Sequence, residues 1–193
     1  MRVFAYVDQR YQYATRAVVG NEATLLTSPP VFAADFNSIW LNGQDFIYID
    51  LHGQPYGVYL YSGPGQLSGA LGLATVRHAR LSGAVVFATT CYLPRSHFLE
   101  AFLTAGARAV IAGAGVNWGT RGRLSGAQLL ARSVLRQIES GLPVEAALAE
   151  AKRRLRLSPR RLWEREATED ALAFRLFARE HVKREAASVE RGA

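Results

Sequence analysis

The chain of 193 residues has one cysteine, Cys91, and two lysines, Lys152 and Lys183. A lone cysteine excludes an internal disulfide framework and a cysteine-rich zinc site, and it leaves a free thiol. The four histidines, His52, His78, His97 and His181, are scattered without metal-ligand spacing such as H-E-x-x-H, so no metal or cofactor is expected. No stretch approaches the roughly 18 consecutive apolar residues of a membrane span. The opening MRVFAYVDQRYQY lacks the long apolar core and small-residue cleavage site of a signal peptide. We therefore expect a cytoplasmic protein with no membrane partner. Internal repeats and linkers are also lacking.

What is present is ordinary for a globular domain: 49% hydrophobic and 20% charged residues, in a length that buries a substantial core. The expected organisation is one domain over 1–180 and a charged tail over 181–193. The net charge of +7 is uneven, with +2 in residues 1–150 and +5 in 151–193. AKRRLRLSPRR has the charge that nucleic acid or an acidic partner would attract. A solvated helix face explains the same run more simply, so nucleic acid is disfavoured as a partner.

Along the chain, RVFAYVD alternates as a strand with Asp8 at its end. ATRAVVG reads as a short helix or strand, and ATLLTS as extended. A helix is expected over Val31–Trp40, where Phe32, Phe36 and Trp40 recur every four residues. DFIYIDL, apolar on both faces, predicts a central parallel strand covered on both sides. After a possible extended piece at GVYLY, Leu67–His78 is expected to be helical despite Gly69 and Gly72. Ala84–Thr89 is a second buried strand, ending at Cys91. Ser96 caps a helix through Thr104, and ARAVIAGAG is a third buried strand. Leu124–Glu139 and Val144–Leu157 read as helices. DALAFRLFARE alternates Leu172, Phe174 and Leu176 and reads as a strand. Apolar strands alternating with helices predict an α/β sandwich with a mostly parallel sheet, whose sites form beyond the carboxyl ends of the strands.

That edge is where chemistry gathers. YIDLHG and VVFATTC deliver an imidazole, His52, and a thiol, Cys91, from two buried strands 39 residues apart. A free thiol with a pKa of about 8.5 is only a few per cent thiolate at neutral pH, so a catalytic cysteine needs a proton acceptor. Gly53, with no side chain, would let its backbone N–H approach an oxyanion, and the Cys91 amide would supply a second donor. A buried cysteine behaving as a small hydrophobe and a strand-end His-Gly turn explain the pair equally well on spacing alone. His97, six residues past the cysteine, competes as base but suits the helix surface. Class I glutamine amidotransferases set cysteine in a G-x-C-x-G turn with histidine downstream; here Thr90 and Tyr92 flank Cys91 and the histidine precedes it.

In this order YIDLHG, VVFATTC, AFLTAGARAVIAGAGVNW and VEAALAEAKRRL resemble the CHAT group of the caspase-like (clan CD) cysteine peptidases, over residues 44–157. The resemblance implies a caspase-like three-layer αβα sandwich. It makes Cys91 the nucleophile, His52 its partner in a dyad, and Gly53 with Cys91 the oxyanion hole. It also implies that Gly115, Val116 and Trp118 line the substrate cleft. Many clan CD enzymes cut after a basic residue using carboxylates in the first pocket, which makes Asp8 and Asp50 candidates; Asp50 reads equally as a buried hydrogen-bond partner. The sequence departs from the family at Tyr92, Leu93 and Pro94, where a polar residue and glycine are usual, and at Ala178, Arg179 and Glu180, where the family closes on GDP. The expected function is a cysteine endopeptidase acting on a partner protein in bacterial defence or signalling, with a protein or peptide substrate and a regulatory partner. A catalytically silent caspase-like binding module is the alternative.

Overall fold

Val3, Ala5 and Val7 face one side of the first strand, Phe4 and Tyr6 face the other, and all five are buried. A sheet with two apolar faces must be covered twice, and that requirement sets the architecture of this computed structural model. Residues 1–63, 67–117, 124, 126–158 and 165–178 are described. The strands are β1 (Val3–Asp8), β2 (Thr24–Ser28), β3 (Phe46–Asp50), β4 (Tyr59–Ser62), β5 (Ser68–Gly72), β6 (Val85–Ala88), β7 (Ala109–Ala112) and β8 (Arg175–Ala178). The helices are α1 (Gln12–Val19), α2 (Leu73–His78), α3 (Phe98–Thr104), α4 (Gly126–Glu139), α5 (Val144–Leu157) and α6 (Arg165–Leu172).

The main sheet has the order β2-β1-β3-β6-β7-β8. Its first five strands run parallel, and β8 lies antiparallel to β7. One face packs Tyr48, Val85, Phe87 and Ile111 against Val18 of α1, Leu130 and Val134 of α4 and Leu148 of α5. The other packs Ile47, Ile49, Val86 and Val110 against Val76 of α2 and Phe98 and Phe102 of α3. Each large apolar side chain so buried contributes roughly 1.5–3 kcal/mol. The result is the αβα sandwich with a mostly parallel sheet that the alternating pattern predicts. A second sheet, the β4–β5 hairpin, is antiparallel.

Three local expectations change. Over Val31–Trp40 the only helical turn is a 3-10 segment at Ser38–Leu41. The aromatic recurrence there serves packing instead, with Phe36 lying 4.5 Å from Tyr6 and 5.1 Å from Trp40 between ring centroids. Leu67–His78 divides into β5 and the short α2. Gly69 lets the two strands of the hairpin pack closely, because a Cβ there would come within 3.2 Å of the Tyr59 ring. DALAFRLFARE begins in the last turn of α6, and β8 starts only at Arg175. Phe174 lies between them, stacked on Phe87 at 5.4 Å. Gly126 explains how closely α4 and α6 approach: a Cβ there would overlap the Ala167 carbonyl.

No helix of the described residues is long and apolar enough to cross a membrane. Trp118, residues 159–161 of the basic run, and the tail 181–193 lie outside the described residues.

Candidate active site

Parallel pairing of β1, β3 and β6 brings their carboxyl ends to one edge, with Val7 opposite Asp50 and Ile49 opposite Ala88. Asp8, His52 and Cys91 therefore project from three adjacent strands. His52 is fixed by two backbone hydrogen bonds with Tyr61 of β4, both 2.8 Å, which tie the histidine loop to the hairpin. A groove of about 460 Å³ lined by Phe32, Tyr59 and Tyr61 adjoins this hairpin and contains neither His52 nor Cys91.

The loop after β3 and the loop after β6 are pressed together. A Cβ on Gly53 would sit 2.3 Å from the Cys91 carbonyl oxygen and 2.5 Å from Thr90 Cγ2, so only glycine fits. The Tyr56 N–H donates to the Arg95 carbonyl at 3.0 Å, a second clasp between the same loops. Tyr92, directly after the cysteine, takes a left-handed φ of 55°, which is uncommon for an aromatic residue and marks a sharp turn. Its N–H donates to the Gly115 carbonyl at 3.0 Å. Thr90 Oγ1 is buried without a hydrogen-bond partner among the described residues.

Cys91 is half-buried. The Asn117 N–H donates to Sγ at 3.3 Å, the thiol faces the Asn117 carbonyl at 3.7 Å, and the Asn117 side chain donates to the Thr90 carbonyl at 3.0 Å. Burial pushes the thiol pKa up; the Asn117 N–H opposes that rise, and the charge on Asp50 adds to it. The balance favours the neutral thiol, and no hydrogen bond joins it to His52 among the described residues. Gly115 and Val116 are exposed on the same loop. Gly113 has to be glycine, since a Cβ there would meet Asn117 Oδ1 at 2.8 Å and the Phe174 ring at 2.9 Å.

The two carboxylates of the edge differ. Asp8 is buried, and its Oδ1 accepts from the Arg10 backbone N–H and Nε, both at 2.9 Å. Its Oδ2 accepts from Arg10 Nη2 at 2.7 Å and the Gly63 N–H at 2.9 Å. Burial alone would raise the Asp8 carboxyl, but the imidazole, the guanidinium and the two backbone N–H groups hold it well below the usual carboxylate range. Arg10 Nη2 also lies 2.5 Å from His52 Nε2, whereas Asp8 Oδ2 is 3.5 Å away. A guanidinium only donates. The Arg10–His52 contact is therefore a hydrogen bond when Nε2 is the unprotonated ring nitrogen. Asp50 is buried and accepts from the Tyr48 hydroxyl and Gln128 Nε2, both at 3.1 Å. Burial raises its pKa, and hydrogen bonds from Gln128, Thr89 and Tyr48 only partly offset this.

The structure thus brings Asp8, Asp50, His52, Gly53, Cys91, Gly115 and Val116 to one edge. Two participants were not legible in the sequence. Asn117 sits inside a predicted loop but carries no motif of its own. Arg10 stands two residues past Asp8, a spacing at which a side chain folds back on a strand-end carboxylate. Among the described residues no group of three His, Cys, Asp or Glu is placed to hold a metal.

A solved structure of the Arg-specific cysteine proteinase gingipain R matches this chain with a TM-score of 0.57 at 11% identity, covering 91% of this chain and 46% of that one. A complex of the pro- and mature domains of RgpB from Porphyromonas gingivalis matches with a TM-score of 0.57 at 10% identity, covering 92% and 47%. The chain spans just under half the length of these structures. The likeness establishes the fold, a caspase-like α/β sandwich. No protein-family model matches the chain, and no curated protein matches its sequence.

Proposed function

We propose that the chain is a cysteine endopeptidase of the CHAT type, cleaving a partner protein in bacterial defence or signalling through Cys91 and His52. The observation that carries this reading is the fit of Gly53 against the Cys91 carbonyl. It makes the residue after the histidine a neighbour of the cysteine backbone at the carboxyl edge of a parallel sheet. The shared fold with an Arg-specific cysteine proteinase supports it.

In the proposed reaction the Cys91 thiol passes its proton to His52 as Sγ bonds to the scissile carbonyl carbon. The carbonyl π electrons move to oxygen, where the Gly53 and Cys91 amides donate. The imidazolium then protonates the amine as the C–N bond breaks, leaving a thioester. Water, deprotonated by His52, attacks the thioester carbonyl, and the proton returns to the departing sulfur. Because burial keeps the resting thiol neutral, His52 acts during attack rather than through a preformed ion pair. The Asn117 N–H 3.3 Å from Sγ stabilises the thiolate as it forms. Gly115 and Val116, exposed on the loop after β7, line the cleft and pair with substrate backbone. Asp8 receives a basic side chain in the first pocket. Asp50, buried behind the dyad on Tyr48 and Gln128, holds the end of β3 in place.

One observation favours a second reading, a catalytically silent binding or regulatory module: His52 Nε2 is engaged by Arg10 and not by the thiol. Alkylation by iodoacetamide across pH, with cleavage of peptides ending in Arg, Lys or Asp, separates the two. The endopeptidase reading requires turnover that falls at least about 10³-fold in Cys91→Ala and His52→Ala. Turnover absent in the parent, or unchanged in both variants, sinks it.

A further inference from the structure

The Asp8 carboxylate, buried at the end of β1, has no free acceptor position facing solvent: each oxygen takes two hydrogen bonds, and three of the four come from Arg10. The side chain of Asp8 is 1% exposed and that of Arg10 22%. A guanidinium meets the carboxylate through two parallel N–H···O bonds, the fork that an arginine side chain makes with a carboxylate in general. The chain has therefore supplied its own cation to the position where a basic substrate residue would be read.

Arg10 is held lightly apart from that fork. It belongs to the 3-10 turn Gln9–Tyr11, which contains no buried residue, so its side chain can swing out without unmaking the core. Its guanidinium carbon lies 5.7 Å from the centre of the Tyr11 ring, a face that attracts cations. The same Nη2 that binds Asp8 also lies against His52 Nε2, 2.5 Å away. Departure of Arg10 therefore does two things at once. It opens the carboxylate, and it frees the imidazole nitrogen.

We infer that Arg10 is a displaceable internal occupant of the Asp8 subsite, and that a substrate arginine enters by exchanging its guanidinium for that of Arg10, which releases His52 for proton transfer. The inference rests on the proposed assignment of Asp8 to the first pocket. The exchange replaces one fork by another, so the buried carboxylate is never left unpaired. A lysine ammonium makes a single point contact and cannot reproduce both parallel bonds, so arginine is selected over lysine. Arg10 is in this sense a specificity-determining residue as well as a brake.

Binding rather than turnover tests it. In the Cys91→Ala chain, which has no nucleophile, calorimetry measures the affinity for acetyl-arginine amide, acetyl-lysine amide and acetyl-aspartate amide, with Arg10 intact or replaced. Arg10→Ala is expected to bind acetyl-arginine amide at least tenfold more tightly than its parent, with a smaller gain for the lysine amide, and adding Asp8→Asn is expected to erase the gain. Arg10→Gln, which keeps a polar side chain but not the fork, serves if the alanine variant does not fold. In parallel, nitrogen-15 NMR of His52 is expected to move when Arg10 is replaced or the arginine amide is added. Unchanged affinity, a gain that survives Asp8→Asn, or acetyl-aspartate binding that depends on Arg10 overturns the exchange. Absence of Cys91-dependent turnover in the intact chain is a separate result, which removes the endopeptidase reading and leaves the binding comparison to stand or fall by itself.

Discussion

Asp8 closes β1 and Asp50 closes β3, and the two strands pair in register with Val7 opposite Asp50. Both carboxylates are buried, but their neighbours differ in charge. Asp8 faces a guanidinium, an imidazole and two backbone N–H groups. Asp50 faces the neutral donors Tyr48 and Gln128. The first is held ionised and the second is pushed toward its protonated form. Neighbouring carboxylates whose environments drive their pKa values apart take different tasks. Here one pairs with a cation, the Arg10 guanidinium, while the other sits in a buried network with Tyr48 and Gln128.

The largest break in that contrast comes from Asp8→Asn. It leaves the Arg10 guanidinium without its counter-charge in a mostly buried position, and loss of one partner from a buried pair costs about 3–5 kcal/mol. Denaturant unfolding at pH 7 measures it. The pH dependence has a definite sign: the folded pKa of Asp8 lies below the reference 3.8, so its contribution is present above that value and lost as pH falls through the folded one. The variant is expected to lose the corresponding part of the acid destabilisation.

A smaller effect is expected for Gln128→Leu, which removes a donor from Asp50 and leaves an under-satisfied carboxyl buried. The cost is about 1–3 kcal/mol, read in the same unfolding experiment. Asp50→Asn is expected to be milder still, under about 1 kcal/mol at neutral pH, because the amide oxygen continues to accept from Tyr48 and Gln128. Its sign across pH is opposite to that of Asp8. The folded pKa of Asp50 lies above 3.8, so its neutral form stabilises at low pH and the contribution is lost as pH rises through the folded value. Asp50→Asn is therefore expected to gain on the parent as pH rises. If both asparagine variants lose stability equally at every pH, the two carboxylates are equivalent after all.

The sequence made the sheet edge legible because β3, β6 and β7 are continuous apolar runs that only a doubly covered sheet accommodates. His52, Gly53 and Cys91 follow from those runs by position alone. Where the reading went astray, a contact remote in sequence decided the outcome. Gly69 and Gly72 looked like flaws in a helix, but both belong to a strand of the hairpin, and the missing side chain of Gly69 admits the Tyr59 ring across it. Leu172 seemed to alternate with Phe174 and Leu176, yet REATEDAL completes a helix whose Thr168 and Ala171 are buried. Arg10 and Asn117 act through a partner at close range, on Asp8 and Cys91 respectively. Nothing in their own residue type announces that.

The strand order β2-β1-β3-β6-β7-β8 also bears on how the chain assembles as it is made. From β3 onward each new strand of the main sheet joins the edge left by the one before, so the sheet grows outward in the order of synthesis, amino end first. Pairing of β6 brings the thiol beside the histidine loop before Asn117 has been added to cover it and before Gln128 has arrived to hold Asp50. In that order of assembly the Cys91 sulfur takes its place before the residues that cover it, and the later strands and helices serve as its sheath.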